Sequence, residues 1–316
     1  MEIAQQIGGA SVTSTQSDYL EAMERQLGMW GSVAQERVGR ATVAVGGVGG
    51  IGAISALMVA KAGFGRIRLC DRDTYGLENI VEQAFATYDA VGREKADVAA
   101  RELVRHTRHG AIDAWTGDLA EAAHAARLVD GADIVISGVD NVAARLALGR
   151  ACAEARVPMV VSANVGWSVL HTVYTPEEEG YAAVWRDVEG LRRGKDGFPD
   201  LVDPETRARV EREWTVWVVA MAGFEGGALR RFLEGDQGYL WYAAPPAYFA
   251  ASLGVMDALK IVTGRGKPTI FPAVFYYDLK HGRVLSWEDF SGRRKRLNEV
   301  WDRGSDAIVS VAQEWE

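Results

Sequence analysis

The chain has 316 residues, 48% hydrophobic and 25% charged, the balance of a globular protein with a core large enough for one big domain or two modest ones. A formal net charge of −8 argues against a duplex nucleic-acid binder, which needs a dense basic face. Two cysteines, Cys70 and Cys152, are too few for a disulfide framework or a zinc site, and both fall in apolar segments that predict buried, inert thiols.

The opening MEIAQQIGGASVTSTQSD lacks the basic-then-apolar run of a signal peptide, so a cytoplasmic location is expected. From residue 18, DYLEAMERQLGMWGSVAQERV has apolar residues at three-to-four spacing and predicts a helical arm, making 1–40 an N-terminal arm and helix. Residues 42–45 predict a first strand and 50–62 a helix. Residues 66–70 predict a second strand, ending in the acids Asp71 and Asp73. A helix at 92–106, a strand at 111–115 and a helix at 119–129 come next. A strand at 132–137, a helix at 141–155 and strands at 158–163 and 167–174 complete the alternation. This order predicts an α/β fold over 41–175, doubly wound, with a mostly parallel sheet covered on both faces.

Residues 176–203 are rich in charge and read as an excursion, followed by a helix at 204–222. Together 176–244 form a segment set apart from the alternating core. A helix at 246–263 ends at Gly264, and C-terminal strands at 273–278 and 283–287 complete the same domain over 245–316. The run Arg293-Arg294-Lys295-Arg296 lies beside acids and reads as a solvated surface. Six of the tryptophans, Trp30, Trp167, Trp185, Trp214, Trp217 and Trp241, are expected in the core and in a cap over the substrate.

The stretch TVAVGGVGGIGAISALMVAKAGFG has no charge between Arg40 and Lys61, nearly the length of a membrane span. Its glycines are bunched behind β-branched residues, which suits a buried strand, a tight turn and a helix instead. No membrane association is expected. Gly47-Val48-Gly49-Gly50-Ile51-Gly52 fits GxGxxG, and Asp71 follows at the distance of a ribose-binding acid. By itself this pattern indicates a nucleotide with a ribose, leaving NAD, FAD, S-adenosyl compounds and ATP open.

Further motifs narrow the choice. LCDRDTYGLENIVEQ resembles the DxDxVexxNLxRQ segment of the ubiquitin-activating-like adenylyltransferases, the MoeB/ThiF/HesA family. VGREK is similar to the family's GxxK, ISGVDNVAAR to its DxxDNxxxR, and MERQLGMWGSVAQERV to its arm pattern. AASLGVMDALKIVTGRGKP looks like the helix that closes the fold. The resemblance covers about residues 20–175 and 245–287 and implies a Rossmann-like domain that binds ATP and Mg²⁺ and adenylates a carboxylate. It implies that Gly47, Gly49, Gly50 and Gly52 form the phosphate cradle, that Asp71 takes the ribose hydroxyls, and that Asp73, Asn79, Gln83 and Asn141 line the nucleotide site. Lys95 would hold the phosphates and Asp140 the metal. Arg25 matches an arm arginine that reaches the ATP of a neighbouring subunit, which implies a homodimer. Lys95, Asp140 and Arg25 are therefore the expected catalytic set.

The chain departs from the family pattern where Glu82-Gln83 replaces Arg-Gln. A carboxylate near phosphates repels them, so either Arg72 or Arg93 substitutes, the segment is rearranged, or turnover is impaired. No CxxC pair exists, so zinc is not expected, and 176–244 has no cysteine, so no thioester relay is expected. The acyl-adenylate would then be attacked directly, and its carboxylate would come from a peptide, small protein or small molecule. Arg186, Arg192, Arg193 and Lys195 could receive an acidic peptide, with Trp185, Trp214 and Trp217 as apolar walls. EREWTVWVVAMAGF reads better as a core helix or dimer face. His171 reads as a hydrogen-bonded filler, and no Ser-His-Asp triad is legible from spacing. Two rival readings stand: a catalytically silent partner subunit, suggested by Glu82, and an NAD- or FAD-dependent oxidoreductase, suggested by the glycine turn with Asp71.

Overall fold

The computed structural model describes residues 16–178, 180–186, 188–221, 223–236 and 241–315, so the first 15 residues of the expected arm lie outside it. The arm is three helices, α1 (Gln16–Ala22), α2 (Glu24–Trp30) and α3 (Ser32–Arg40), where the periodicity predicts one. Gly31 at φ +84° breaks the run, a backbone conformation that glycine adopts without strain. The core follows as β1 (Thr42–Gly46), α4 (Gly50–Ala62), β2 (Arg66–Asp71), α5 (Lys95–Leu103), β3 (Ala111–Thr116), α6 (Ala122–Val129), β4 (Ile134–Ser137), α7 (Val142–Ala155), β5 (Met159–Val165) and β6 (Ser168–Tyr174). Then come α8 (Pro204–Met221), α9 (Gly226–Leu233), α10 (Ala244–Thr263), β7 (Phe275–Asp278), β8 (Arg283–Leu285), α11 (Trp287–Val300) and α12 (Ser305–Gln313).

The eight strands form one sheet in the order β3-β2-β1-β4-β5-β6-β7-β8. β3, β2, β1, β4 and β5 run parallel, and β6, β7 and β8 extend the sheet antiparallel. This is the Rossmann-like, mostly parallel sheet that the β-α alternation predicts. β1 and β4 are buried on both faces, as strands covered by helices must be, and read as continuous apolar runs. α4 is apolar all round because it lies between the sheet and α10. Left-handed glycines end both helices, Gly63 after α4 and Gly264 after α10.

Segments after residue 176 do more than the sequence suggests. α8 and the short turn Gly180–Trp185 cover one face of β5 and β6, while α10 covers the other. α11, capped by Ser286 with Asp289 at its third position, and α12 are additional to the expected elements. They turn half of the basic run inward: Arg294 pairs with Glu213 at 2.9 Å and lies over Trp217, and Arg293 donates to Tyr276 Oη at 3.2 Å. Trp167 also departs from expectation, being 53% exposed.

A buried polar link fastens the antiparallel half to α10. Ser162 Oγ of β5 lies 2.9 Å from His171 Nδ1 of β6, and His171 Nε2 lies 2.9 Å from Asp257 Oδ2 of α10. Asp257 also accepts from Thr269 N at 2.6 Å and from Lys260 Nζ at 2.5 Å. Serine, histidine and acid thus meet in space, but none is more than 2% exposed. Serine and acid also sit on the opposite ring nitrogens from those of the hydrolase arrangement. The network holds structure, and His171 is the hydrogen-bonded filler expected. Burial alone would raise the Asp257 carboxyl, but the bonds from His171, Lys260 and Thr269 outweigh it and hold its pKa well below the usual carboxylate range. Asp257→Ala should therefore cost roughly 3–5 kcal/mol in urea unfolding at pH 7. The depressed folded pKa means that this stability is present above the unfolded value of about 3.9 and is lost as pH falls through the folded one, so the gap from wild type should narrow below about pH 4.

Candidate active site

The strand order reverses between β1 and β4, and a cleft of about 1450 Å³, counting its solvent-open part, lies at the C-terminal ends of the strands there. Its floor is the turn from β1 into α4. Gly47 has φ +81°, and a Cβ on it would lie 2.8 Å from Gly138 O in the β4–α7 loop. A Cβ on Gly52 would lie 1.8 Å from Gly47 O, so Gly52 serves packing and does not face the cleft. Gly49 does face it, with Gln83 Nε2 the nearest atom to an added Cβ, at 3.7 Å. The positive end of α4 therefore opens onto the cleft, as an anion site requires.

Three groups border this turn. Asp71, at the end of β2, accepts from Val48 N at 2.5 Å on one oxygen and from Asp73 N at 2.8 Å on the other. Burial raises its carboxyl pKa, and these bonds and Lys95 pull it back. Each oxygen keeps a lone pair, so the two can still accept ribose hydroxyls. Lys95, the first residue of α5, is only 7% exposed, with Nζ 3.8 Å from Asp73 Oδ2. That burial excludes an ordinary surface lysine. Asp140, in the β4–α7 loop, lines the cleft and has no hydrogen bond or ion pair among the described residues. Its neighbour Asn141 accepts from Ala144 N at 2.8 Å and caps α7, so the amide serves the helix and the carboxylate stays open.

No group of three or more His, Cys, Asp or Glu that could hold a metal exists among the described residues. Asp140 alone still suits Mg²⁺, which is held by one or two carboxylates together with phosphate oxygens. Gln83 lines the cleft with a buried, unpartnered Oε1.

Glu82 is 8% exposed, and a Cβ on Gly50 would come within 1.9 Å of its Oε2. The carboxyl thus sits against the first turn of α4, where a phosphate would go. Burial raises its pKa, opposed by the Gln83 hydrogen bond and by Lys95. Arg72 lines the cleft but is tied to Asp118 at 3.0 Å, and Arg93 does not line it.

Asn79 and Arg25 lie elsewhere. Asn79 Oδ1 accepts from Gly76 N at 2.9 Å and caps its own short turn outside the cleft. Arg25 is exposed on α2, which is anchored at the far end of α4 by Gln26 Nε2 donating to Ala62 O at 3.0 Å. α4 has 13 residues, about 20 Å of helix, so Arg25 is remote from its own chain's glycine turn.

Residues 23–299 match the family model described as the ThiF family. The chain belongs to the ThiF family. It is 33% identical over 144 residues to the molybdopterin-synthase adenylyltransferase of Escherichia coli (strain K12), covering 46% of this chain and 57% of that protein. It is 30% identical over 159 residues to the sulfur carrier protein ThiS adenylyltransferase of the same strain, covering 48% and 61%. The chain thus spans about six-tenths of the length of these two relatives. Protein HesA of Leptolyngbya boryana is 27% identical over 253 residues, 79% of this chain and 76% of that one. The crystal structure of E. coli MccB with ATP shares the fold at a TM-score of 0.63 and 18% identity, over 84% of this chain and 70% of that chain.

The other half of the cleft is only partly legible in the sequence. Trp185, Trp214 and Trp217 line it, with Tyr174, Tyr181 and Tyr242, whereas the helix containing Trp214 and Trp217 reads better as core or dimer face. Arg186, Arg192, Arg193 and Lys195 do not line it. Arg193 donates to the carbonyls of Trp185, Arg186 and Val188, and Arg192 pairs with Asp200 at 3.4 Å. Arg145 is visible only as the last residue of the DNxxxR match. Its pairing with Trp214, far along the chain, has no local signal.

Glu82→Gln should raise the melting temperature at pH 8. A buried acid with a raised folded pKa loses stability as pH rises through that value, so the gain should vanish near pH 4, and an equal gain at both pH values would contradict this placement.

Proposed function

We propose that the chain uses ATP and Mg²⁺ to adenylate a carboxylate, and that an amine or amide nitrogen attacks the acyl carbon of the adenylate directly, losing its proton as the acyl C–O bond breaks and AMP leaves. The observation that carries this reading is the Asp140 carboxylate, without a partner among the described residues, and the buried ammonium of Lys95 lining the same cleft as the glycine turn. The backbone of Gly47, Gly49 and Gly50 would admit the phosphates, Asp71 the ribose, and Asp73 and Gln83 the rest of the nucleotide. The carboxylate oxygen attacks the α-phosphorus in line, the bond to the β-phosphate's bridging oxygen breaks, and pyrophosphate leaves. Lys95 neutralises phosphate charge, and Asp140 holds Mg²⁺, which supplies further neutralisation.

Direct attack is supported by the thiols. Burial pushes the Cys70 thiol up to about 12, with Asp71 adding to the shift, and burial also raises Cys152. Neither provides a thiolate at neutral pH. A peptide or small-protein carboxylate is supported by the sulfur carrier protein named for one relative. A homodimer is supported by the distance of Arg25 from its own cleft, which leaves it free to reach a partner's. No helix among the described residues is long and apolar enough to cross a membrane, and the proposal places the chain in the cytoplasm. One observation favours a second reading, a silent partner subunit: the Glu82 carboxyl lies against Gly50 in the first turn of α4.

ATP–pyrophosphate exchange with Mg²⁺ and a panel of carboxylates tests the proposal. Lys95→Ala and Asp140→Ala should each lower exchange by at least about 100-fold. Failure of the folded wild type to bind ATP would select the silent subunit. Dimers re-paired from Arg25→Ala and Asp140→Ala chains should recover roughly a quarter of wild-type exchange, since half of them hold one intact site of two. No recovery would refute the reach of Arg25 between subunits.

A further inference from the structure

Beyond Asp140 the cleft continues as a chamber between α8, the turn Gly180–Trp185 and the face of β5 and β6 that carries Val161, Ala163 and Leu170. The nucleotide reading leaves it unused. Asp71 at the end of β2, with Gly117 and Asp118 beyond β3, draws ribose and base to one side, while the chamber lies across β4 on the other.

Its walls are aromatic and fixed. Tyr181 packs edge-on against Tyr174 at 5.1 Å and Trp185 at 6.4 Å between centroids, and Trp214 stands opposite on α8. Within this apolar lining sits one cation, Arg145 of α7, only 6% exposed. Its guanidinium lies 4.5 Å from the Trp214 ring centroid and donates to Val139 O at 2.6 Å, which places it beside Asp140. It lies near the Tyr181 hydroxyl. It forms no ion pair among the described residues, and its Nε is buried without a hydrogen-bond partner. Trp185 Nε1, also lining the chamber, is a buried donor with no hydrogen-bond partner among the described residues.

A buried, unpaired guanidinium is expensive, because desolvation is not offset by a counter-charge. Trp185 Nε1 is a second unused donor in the same lining, and both require an acceptor. The occupant must therefore be an anion rich in acceptors, attached to a group bulky and apolar enough to fill an aromatic chamber. We propose that the chamber takes the end of the substrate to be activated, Arg145 binding its carboxylate and the Tyr181–Trp185–Trp214 wall binding a large apolar side chain next to it. The substrate class is a peptide or small acid whose carboxyl-bearing residue is apolar. This assignment rests on the adenylation reading for the fate of the carboxylate, but the binding it asserts is independent of ATP. Arg145 is a specificity-determining residue that delivers the carboxylate to the open side of Asp140.

Calorimetric titration of the full chain with N-acetyl-L-phenylalanine, its C-terminal amide and N-acetylglycine tests this, with ATP·Mg²⁺ binding measured on the same samples. The acid should bind at least about tenfold more tightly than its amide and than acetylglycine. Arg145→Gln should reduce acid binding to the level of the amide while ATP affinity stays within about twofold. Arg145→Met, which removes the unpaired charge, should melt at a higher temperature than wild type, so its loss of acid binding would not reflect misfolding. Equal binding of acid and amide, no binding of any probe, or unchanged acid binding by both variants would overturn the proposal. Loss of ATP affinity in a folded Arg145 variant would also overturn it, by assigning Arg145 to the nucleotide. If the wild type bound the acid selectively but not ATP, the adenylation reading would fail and the chamber assignment would stand.

Discussion

The turn from β1 into α4 is held by close backbone contact and by the Val48 N–H donated to Asp71. At Gly47 the chain passes so close to the β4–α7 loop, and at Gly52 so close to the carbonyl of Gly47, that neither position has room for a Cβ. The contact brings two loops from neighbouring parallel strands together at the point where the strand order reverses. One loop presents the amide end of a helix and the other presents Asp140. The placement of Asp71, Lys95 and Arg145 follows, because each reaches the cleft from the end of a strand or the first turns of a helix whose position that contact sets.

The electrostatics of the cleft are unusual for a polyphosphate site. Asp71, Asp73, Glu82, Asp118 and Asp140 line it, against Lys95, Arg72 and Arg145. Arg72 is engaged with Asp118, and Arg145 lies towards the aromatic chamber. A bare phosphate would meet excess negative charge there. Glu82 sharpens the point. Its carboxyl rests on the positive helix end and burial favours its neutral form, so an incoming anion has to displace it or find it protonated.

Much of this site is legible in the sequence. Gly47, Gly49, Asp71 and Asp140 stand near strand ends in chain order, a parallel sheet gathers strand ends at one edge, and Lys95 opens the helix α5. Other residues resist reading for specific reasons. Asn79 fits a motif position, but its oxygen is taken by Gly76 N outside the cleft. Trp214 and Trp217 sit on a helix with apolar residues on most sides, so periodicity cannot tell a core face from a cavity wall. Arg193 has the charge to receive an acidic ligand, yet carbonyls of its own loop occupy it. The Ser162–His171–Asp257 link joins three elements through single contacts, and its residues carry no shared spacing.

The sequence by itself determined the β-α alternation, the glycine turn and the ends of the strands, because these follow from local periodicity and backbone sterics. Tertiary structure alone decided which side chains remain unsatisfied once the chain is packed. It placed Glu82 on the helix end, left Asp140 without a partner among the described residues, and buried Arg145 among tryptophan and tyrosine with no ion pair among them. An unmet charge or donor is defined by everything around it in space, and no window of sequence contains those neighbours.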